Sequence, residues 1–190
     1  MVVGFVGKAG SGKSTAAERF ERFGAEIISL DKLGHDALEE EKKQIVDSFG
    51  KSILTCDKVD RKKLSKKVFE DSKLLQKLDE ILHPVIRRKA LKALERCHSK
   101  LCIIDGALIH EIGLADYCDK VIWFECTNKS SVERLMKRGM SRVRAESILH
   151  SQSHLDSMKE RVNAEVSTSG SIDETFEKVR EVLFEWGVVV

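Results

Sequence analysis

A single proline, Pro84, stands in the 190 residues, so no Pro-rich linker is present, and no repeat or low-complexity segment divides the chain. No apolar run approaches the roughly 20 residues of a membrane-spanning helix. The N-terminus enters an apolar stretch directly, without a charged leader and cleavage site. A cytoplasmic enzyme without a membrane partner is therefore expected. Cysteines number five, an odd set with no C-x-x-C pair and no histidine-rich cluster at metal spacing. That pattern predicts free, mostly buried thiols. Net charge is nearly absent as well: 33 Lys and Arg against 31 Asp and Glu leave +2, which argues against a general nucleic-acid binder. No signature points to a particular oligomer.

Residues Gly7 to Ser14 read Gly-Lys-Ala-Gly-Ser-Gly-Lys-Ser, directly after the apolar run Val2 to Val6 and before a helix-compatible stretch, Thr15 to Phe23. Glycines at this spacing let consecutive N–H groups curl inward, and the following helix adds its positive end. The nest predicts ATP or GTP held by Gly7, Ala9, Gly10, Ser11, Gly12, Lys13, Ser14 and Thr15. Lys13 would reach the β- and γ-phosphates, and the Ser14 hydroxyl would ligate Mg²⁺.

Apolar runs at Ala25–Ile28, Leu101–Ile104 and Lys120–Phe124, with a weaker one at Ala164–Ser167, alternate with helical patterns. Nearly continuous apolar strands between helices predict a parallel sheet covered on both faces, a three-layer α/β/α fold with ligands at the carboxyl ends of its strands. A last helix is expected from Ile172 to about Trp186. Between Asp31 and Ser99 no strand is expected, and Leu64, Val68, Phe69, Leu74, Leu75, Leu78, Ile81, Leu82, Val85 and Ile86 recur at helical spacing. This predicts an inserted helical subdomain, with ordinary connecting helices as the alternative. The core is then about 1–30, 100–137 and 154–190, and the insert about 31–99. A basic, glycine-containing break at Arg138–Arg144, between helices at Ser130–Arg138 and Arg144–Ser153, predicts a lid over about 138–153 or else a solvated surface loop.

Asp31 ends the second strand, taken to lie beside the phosphate loop, where an acceptor hydroxyl would approach the γ-phosphate. It can act as base or simply cap the next helix. Asp105 ends the run Leu101–Ile104 and suits a water-mediated Mg²⁺ contact or a turn. A regulatory GTPase would need Asn-Lys-x-Asp, and Thr127-Asn128-Lys129-Ser130-Ser131 lacks that carboxylate. A helical insert, a basic lid and an acid after the second strand together describe a small-molecule kinase.

The chain resembles the dephospho-coenzyme A kinases over almost its whole length. The resemblance rests on Gly4–Gly7 and Lys13–Thr15, Asp31 with His35, Phe49-Gly50, Asp60–Leu64, Val68-Phe69 and Leu82-His83-Pro84. It continues through Asp105, Leu108–Glu111, Arg134–Arg138, Gln152 and Gly170. It implies transfer of the ATP γ-phosphate to the ribose 3′-hydroxyl of dephospho-coenzyme A, with the insert holding the acceptor. Asp31 then matches the base, His35, Arg61, His83 and Glu111 fall on positions around the acceptor or its domain, and Arg138 and Arg142 match lid arginines. For His83 the alternative is a helix-breaking His-Pro turn. Departures from the family pattern are Ser29 in place of a second Asp, Ala107 in place of a Pro, and Ser167-Thr168-Ser169-Gly170 in place of an Asp-Asn-x-Gly stretch. Another small-acceptor kinase and a regulatory nucleotide-binding ATPase are the alternative functions.

Overall fold

The computed structural model describes residues 1–69 and 71–189. The chain divides into two compact units, Met1–Ser29 with Arg96–Val190 and Leu30–Glu95. The first unit holds a five-stranded sheet built from β1 (Val2–Val6), β2 (Glu26–Ser29), β5 (Cys102–Asp105), β6 (Lys120–Glu125) and β7 (Ala164–Ser167). Its order is β2-β5-β1-β6-β7, and every pairing is parallel. Such a sheet needs cover on both faces, and α1 (Lys13–Glu21), α6 (Asn128–Lys137), α7 (Arg142–Ser151) and α8 (Ile172–Glu185) belong to the same unit. Val3, Phe5, Phe20, Ile103, Ile122 and Phe124 are buried together. Phe5 and Phe124 ring centres lie 4.8 Å apart and those of Phe20 and Phe176 4.5 Å apart, spacings at which tilted rings attract beyond their area burial.

The strand order corrects one expectation. β5, not β2, pairs with β1: Phe5 is in register with Asp105, and Asp105 in turn with Ser29. The strand beside the phosphate loop therefore ends in Asp105, and Asp31 leaves the sheet one strand further out. Adjacency in sequence does not set adjacency in a parallel sheet, because crossovers can skip a position.

The second unit contains α2 (Leu30–Glu40), α3 (Lys42–Phe49), α4 (Arg61–Phe69) and α5 (Ser72–Leu94). Leu64, Val68, Leu78, Ile81, Leu82, Val85 and Ile86 are buried as the helical spacing requires, Leu74 and Leu75 are half-buried, and the side chain of Phe69 lies outside the described part. Glu40 of α2 pairs with Arg88 and, at 2.6 Å, with Lys89 of α5. Lys89 first, then Arg88, holds the Glu40 carboxyl below its usual range. Two strands appear where none was expected: β3 (Leu54–Thr55) and β4 (Lys58–Val59) form an antiparallel hairpin. Its turn residues Cys56 and Asp57 have φ 48° and 58°, and the Asp57 carboxylate is held by Lys42 at 2.6 Å. Two-residue strands are too short to show alternation.

Pro84 lies inside α5, a continuous helix of 23 residues, so His83-Pro84 breaks nothing. The missing N–H costs one helical hydrogen bond, and the buried neighbours Leu82, Val85 and Ile86 on the same helix supply compensating packing. The cysteines are all free, but only Cys102 is buried. Cys97, Cys118 and Cys126 are half-buried and Cys56, on the hairpin turn, is exposed. Burial pushes the thiols of Cys102 and Cys118 up, the latter to about 12.

Candidate active site

β1 runs into the glycine loop and the loop into α1, whose cap is Gly12 at φ 96°. An L side chain in that region is strained, and only glycine takes it without cost. Gly10 is needed twice over: its φ is 76°, and a Cβ there would lie 2.7 Å from the Ser131 carbonyl oxygen. The first turn of α1, Lys13, Ser14 and Thr15, presents N–H groups that no carbonyl of the helix can serve. Together with the helix dipole they form an anion cradle.

The loop is held from outside by residues far away in sequence. Arg134 of α6 donates through Nη1 to the carbonyls of Gly10 and Ser11, both at 3.3 Å, and to Thr168 Oγ1 at 3.0 Å; its Nη2 reaches the Thr168 carbonyl. Thr168, 1% exposed, donates its hydroxyl proton to the Ser11 carbonyl at 2.7 Å, with the Glu125 carbonyl 3.1 Å away competing for it. In a trans peptide the C=O of one residue and the N–H of the next point opposite ways. Holding the Ser11 carbonyl outward therefore turns the Gly12 N–H into the nest. On the other flank Ala9 N–H donates to Gln152 Oε1 at 2.8 Å, and Lys8 Nζ meets Asp156 at 2.6 Å.

A cavity of about 260 Å³ opens beside the loop, lined by Gly12, Thr15, Arg134, Arg138, Thr168 and Ile172 among others. The geometry brings Arg138 to this cavity, its Nη2 3.5 Å from Thr15 Oγ1. Arg142 instead pairs along its own helix with Glu146 at 2.8 Å, which raises its guanidinium further above its usual value. The break between α6 and α7 covers 138–141, and Ser141 caps α7 by accepting from Arg144 N–H, so α7 starts two residues earlier than expected. Thr127 caps α6 in the same way; the segment once compared with a guanine-reading motif is a helix start.

Asp105 is 5% exposed at the carboxyl end of the strand next to β1. Ser14 and Asp105 are hard oxygen donors, and no group of three or more His, Cys, Asp or Glu side chains among the described residues could hold a metal ion. That donor set fits Mg²⁺, which takes one or two protein oxygens and completes its shell with phosphates and water.

Asp31 lies in the first turn of α2, one residue inside the helix rather than at its cap, and is exposed. In the same unit His35 Nδ1 and Arg61 Nη1 are 3.5 Å apart. His83 sits 3.5 Å from Asp79 Oδ1, and its Nε2 is buried without a hydrogen bond. Glu111 accepts from His154 Nε2 at 2.8 Å. Arg134, Thr168 and Gln152 were not singled out for roles from the sequence. Arg134 and Gln152 stand among the residues that carry the resemblance but with no role attached, and Thr168 falls in a stretch that departs from the family pattern.

A parallel sheet with a glycine-rich phosphate loop after its central strand, a basic helix break and a cavity against the first helix define a phosphate-loop kinase. The chain belongs to the dephospho-CoA kinase family, whose model matches residues 1–174. A dephospho-CoA kinase of Bacillus licheniformis is 32% identical over 195 residues, covering 98% of this chain and 96% of the relative. Among solved structures, one from Thermus thermophilus superimposes with a TM-score of 0.82 at 26% identity, covering 97% of each chain. A dephospho-CoA kinase from Campylobacter jejuni gives 0.67 at 25% identity, covering 97% of this chain and 96% of that one. The activity is that of the family: phosphoryl transfer from ATP to dephospho-CoA.

Proposed function

We propose that the chain moves the γ-phosphate of ATP to the ribose 3′-hydroxyl of dephospho-CoA with Mg²⁺ bound at Ser14 and, through water, Asp105. The observation that carries this reading is the phosphate cradle of Gly7 to Thr15, shaped by Gly10 and Gly12 and backed by Arg134, in a chain of this family. Lys13 stabilises charge on the transferring phosphoryl group. Ser14 and, through water, Asp105 would hold Mg²⁺, which would supply neutralisation of phosphate charge. Arg138 meets the nucleotide from the cavity against α1, where Thr168 and Ile172 offer an adenine its walls, and Arg142 joins it when the lid closes.

Asp31 is the base. Its carboxylate is exposed at the start of α2, available to the acceptor hydroxyl and not occupied in capping. His35, Arg61 and His83 belong to the acceptor's unit, and Arg61 beside His35 offers an anionic acceptor a planar, permanently charged fork. Glu111, tied to His154, supports the acceptor side indirectly. No helix among the described residues is long and apolar enough to cross a membrane. Five free thiols suit the reducing cytoplasm, where we place the reaction.

An acceptor screen with labelled ATP tests the proposal. Label should pass to dephospho-CoA and not to nucleosides or nucleoside monophosphates lacking the pantetheine arm. Transfer to those acceptors instead, or ATP hydrolysis indifferent to any acceptor, would refute it.

A further inference from the structure

The 3₁₀ segment Ser153–Arg161 and the residue before it carry three alternate side chains, each holding a different neighbour. Gln152, which closes α7, accepts from Ala9 N–H at 2.8 Å in a part-buried contact. His154 reaches Glu111 at 2.8 Å, in the loop that follows β5. Asp156 takes the Lys8 ammonium at 2.6 Å, with the lysine side chain only 15% exposed. Two consecutive residues of the phosphate loop, Lys8 and Ala9, are thus bound to one short segment at the foot of the lid.

We infer that residues 152–156 form a strap that sets the shape of the phosphate loop for phosphoryl transfer, with Gln152 as its positioning residue. The inference rests on the nucleotide lying in that loop. Ala9 N–H is retained by Gln152, so Ala9, which the glycine spacing placed among the nucleotide's holders, lines the cradle without donating its amide to a phosphate. The donors that meet the phosphates begin further along, at the turn where Gly12 N–H is directed inward and at the start of α1. Arg134 and Thr168 hold the carbonyls of one flank, and the strap holds the other. Without Gln152 the apex has one anchored side, and the Ala9 amide is left to swing into the cradle. Reacting atoms held even about 1 Å out of place lose roughly a hundredfold in rate. A cradle with one loosened flank loses less, and its loss falls on the nucleotide rather than the acceptor.

The test is Gln152→Leu, which keeps the side chain's bulk and removes the acceptor oxygen, compared with Asp156→Asn and the double variant. Steady-state kinetics with each substrate varied in turn, binding of a non-hydrolysable ATP analogue, and amide exchange at Ala9 by NMR are measured. For Gln152→Leu, kcat/KM for ATP should fall about tenfold, the loss expected for one hydrogen bond to a part-buried amide. The KM for dephospho-CoA should stay within about twofold of wild type, since uniform acceptor binding is untouched. Ala9 exchange should speed up. Asp156→Asn should lose less on the same side, and the double variant should lose less than the product of the two because both act on one loop.

Unchanged ATP kinetics in Gln152→Leu, or an acceptor KM that rises as much as the ATP KM, would overturn the strap. Analogue binding by the wild-type protein without acceptor separates this from failure of the nucleotide reading, which would appear there first. Should Gln152→Leu fail to fold, Asp156→Asn decides. The Asp156 side chain is 52% exposed; an ATP-side loss supports the strap and full activity refutes it.

Discussion

Thr168→Val exchanges a hydroxyl for a methyl in the hydrogen-bonded cluster that ties Arg134 to the phosphate loop. Thr168 is 1% exposed; its hydroxyl donates to the Ser11 carbonyl at 2.7 Å and accepts from Arg134 at 3.0 Å. The donated bond is neutral and is worth about 1 kcal/mol, while an acceptor for a guanidinium contributes about 1.5–3 kcal/mol. Arg134 is half-buried and keeps its contacts to the Thr168, Gly10 and Ser11 carbonyls, so the lower end of that range applies. The sum is about 2–3 kcal/mol. For a chain of this size each kcal/mol moves the melting midpoint by roughly 2–4 °C, which gives a fall of roughly 4–12 °C. Calorimetry with and without ATP measures it. The ATP KM should rise as well, because the Ser11 carbonyl no longer has the hydroxyl that turns the next N–H inward. A midpoint within about 1 °C of wild type, below the roughly 2–4 °C of one bond, would show that Arg134 alone holds the loop and that the Thr168 hydroxyl is incidental.

Asp31→Asn keeps the shape of the side chain and removes its charge; if it is the base, kcat falls by about two orders of magnitude or more, with ATP binding retained. Asp31 is no cap, so the only structural cost is a favourable charge in the first helical turn, about 0.3–1 kcal/mol, and a melt separates that from catalysis. Replacing Arg138 and Arg142 together with Ala should weaken ATP-dependent turnover while leaving the fold intact, since exposed charges of this kind contribute about 0–1 kcal/mol; unchanged kinetics would remove the lid assignment. His110 is half-buried, with its Nε2 unserved, and burial, then the charge of Arg161, holds its imidazole below the usual value. The unfolded chain therefore binds the proton more readily than the folded one. Its contribution is fully present above the ordinary histidine range near pH 6.5 and is lost as pH falls below it. His110→Asn should flatten the stability profile below about pH 6.5, and an unaltered slope would assign the acid sensitivity elsewhere.

What could be read from the residues in order was what the chain decides locally. The phosphate loop is such a feature: glycine spacing, a lysine and a hydroxyl at a helix start are set within nine residues, Gly7 to Thr15, and appear where expected. The strands and the long helical pattern of the second unit are equally local, because a continuous apolar run or a period of 3.6 is visible in a short window. The hairpin at Leu54–Val59 escaped because two residues per strand carry no period. The order of the sheet escaped for a different reason. Which strand lies beside β1 depends on where a crossover of some seventy residues lands, from Ser29 to Cys102, and nothing in either strand's own residues records it.

The same division runs through the site. Residues that could touch phosphate were legible because their chemistry is intrinsic to the side chain or the loop. The task of holding the loop in shape was not: Arg134, Gln152 and Thr168 lie 124, 143 and 157 positions from their partners, and although Arg134 and Gln152 are among the residues that carry the resemblance, nothing in their own windows names what they face. A guanidinium on a helix reads as solvated surface, and a glutamine closing a helix reads as a cap. Their meaning lies in the carbonyls and the amide that they face. Thr168 makes the point most sharply, since it stands where the family pattern has another residue. Read along the chain it is a departure near the nucleotide site, yet in the fold it is buried and pinned to the loop itself. A departure from a motif can therefore carry a structural task of its own, here the anchoring of the Ser11 carbonyl.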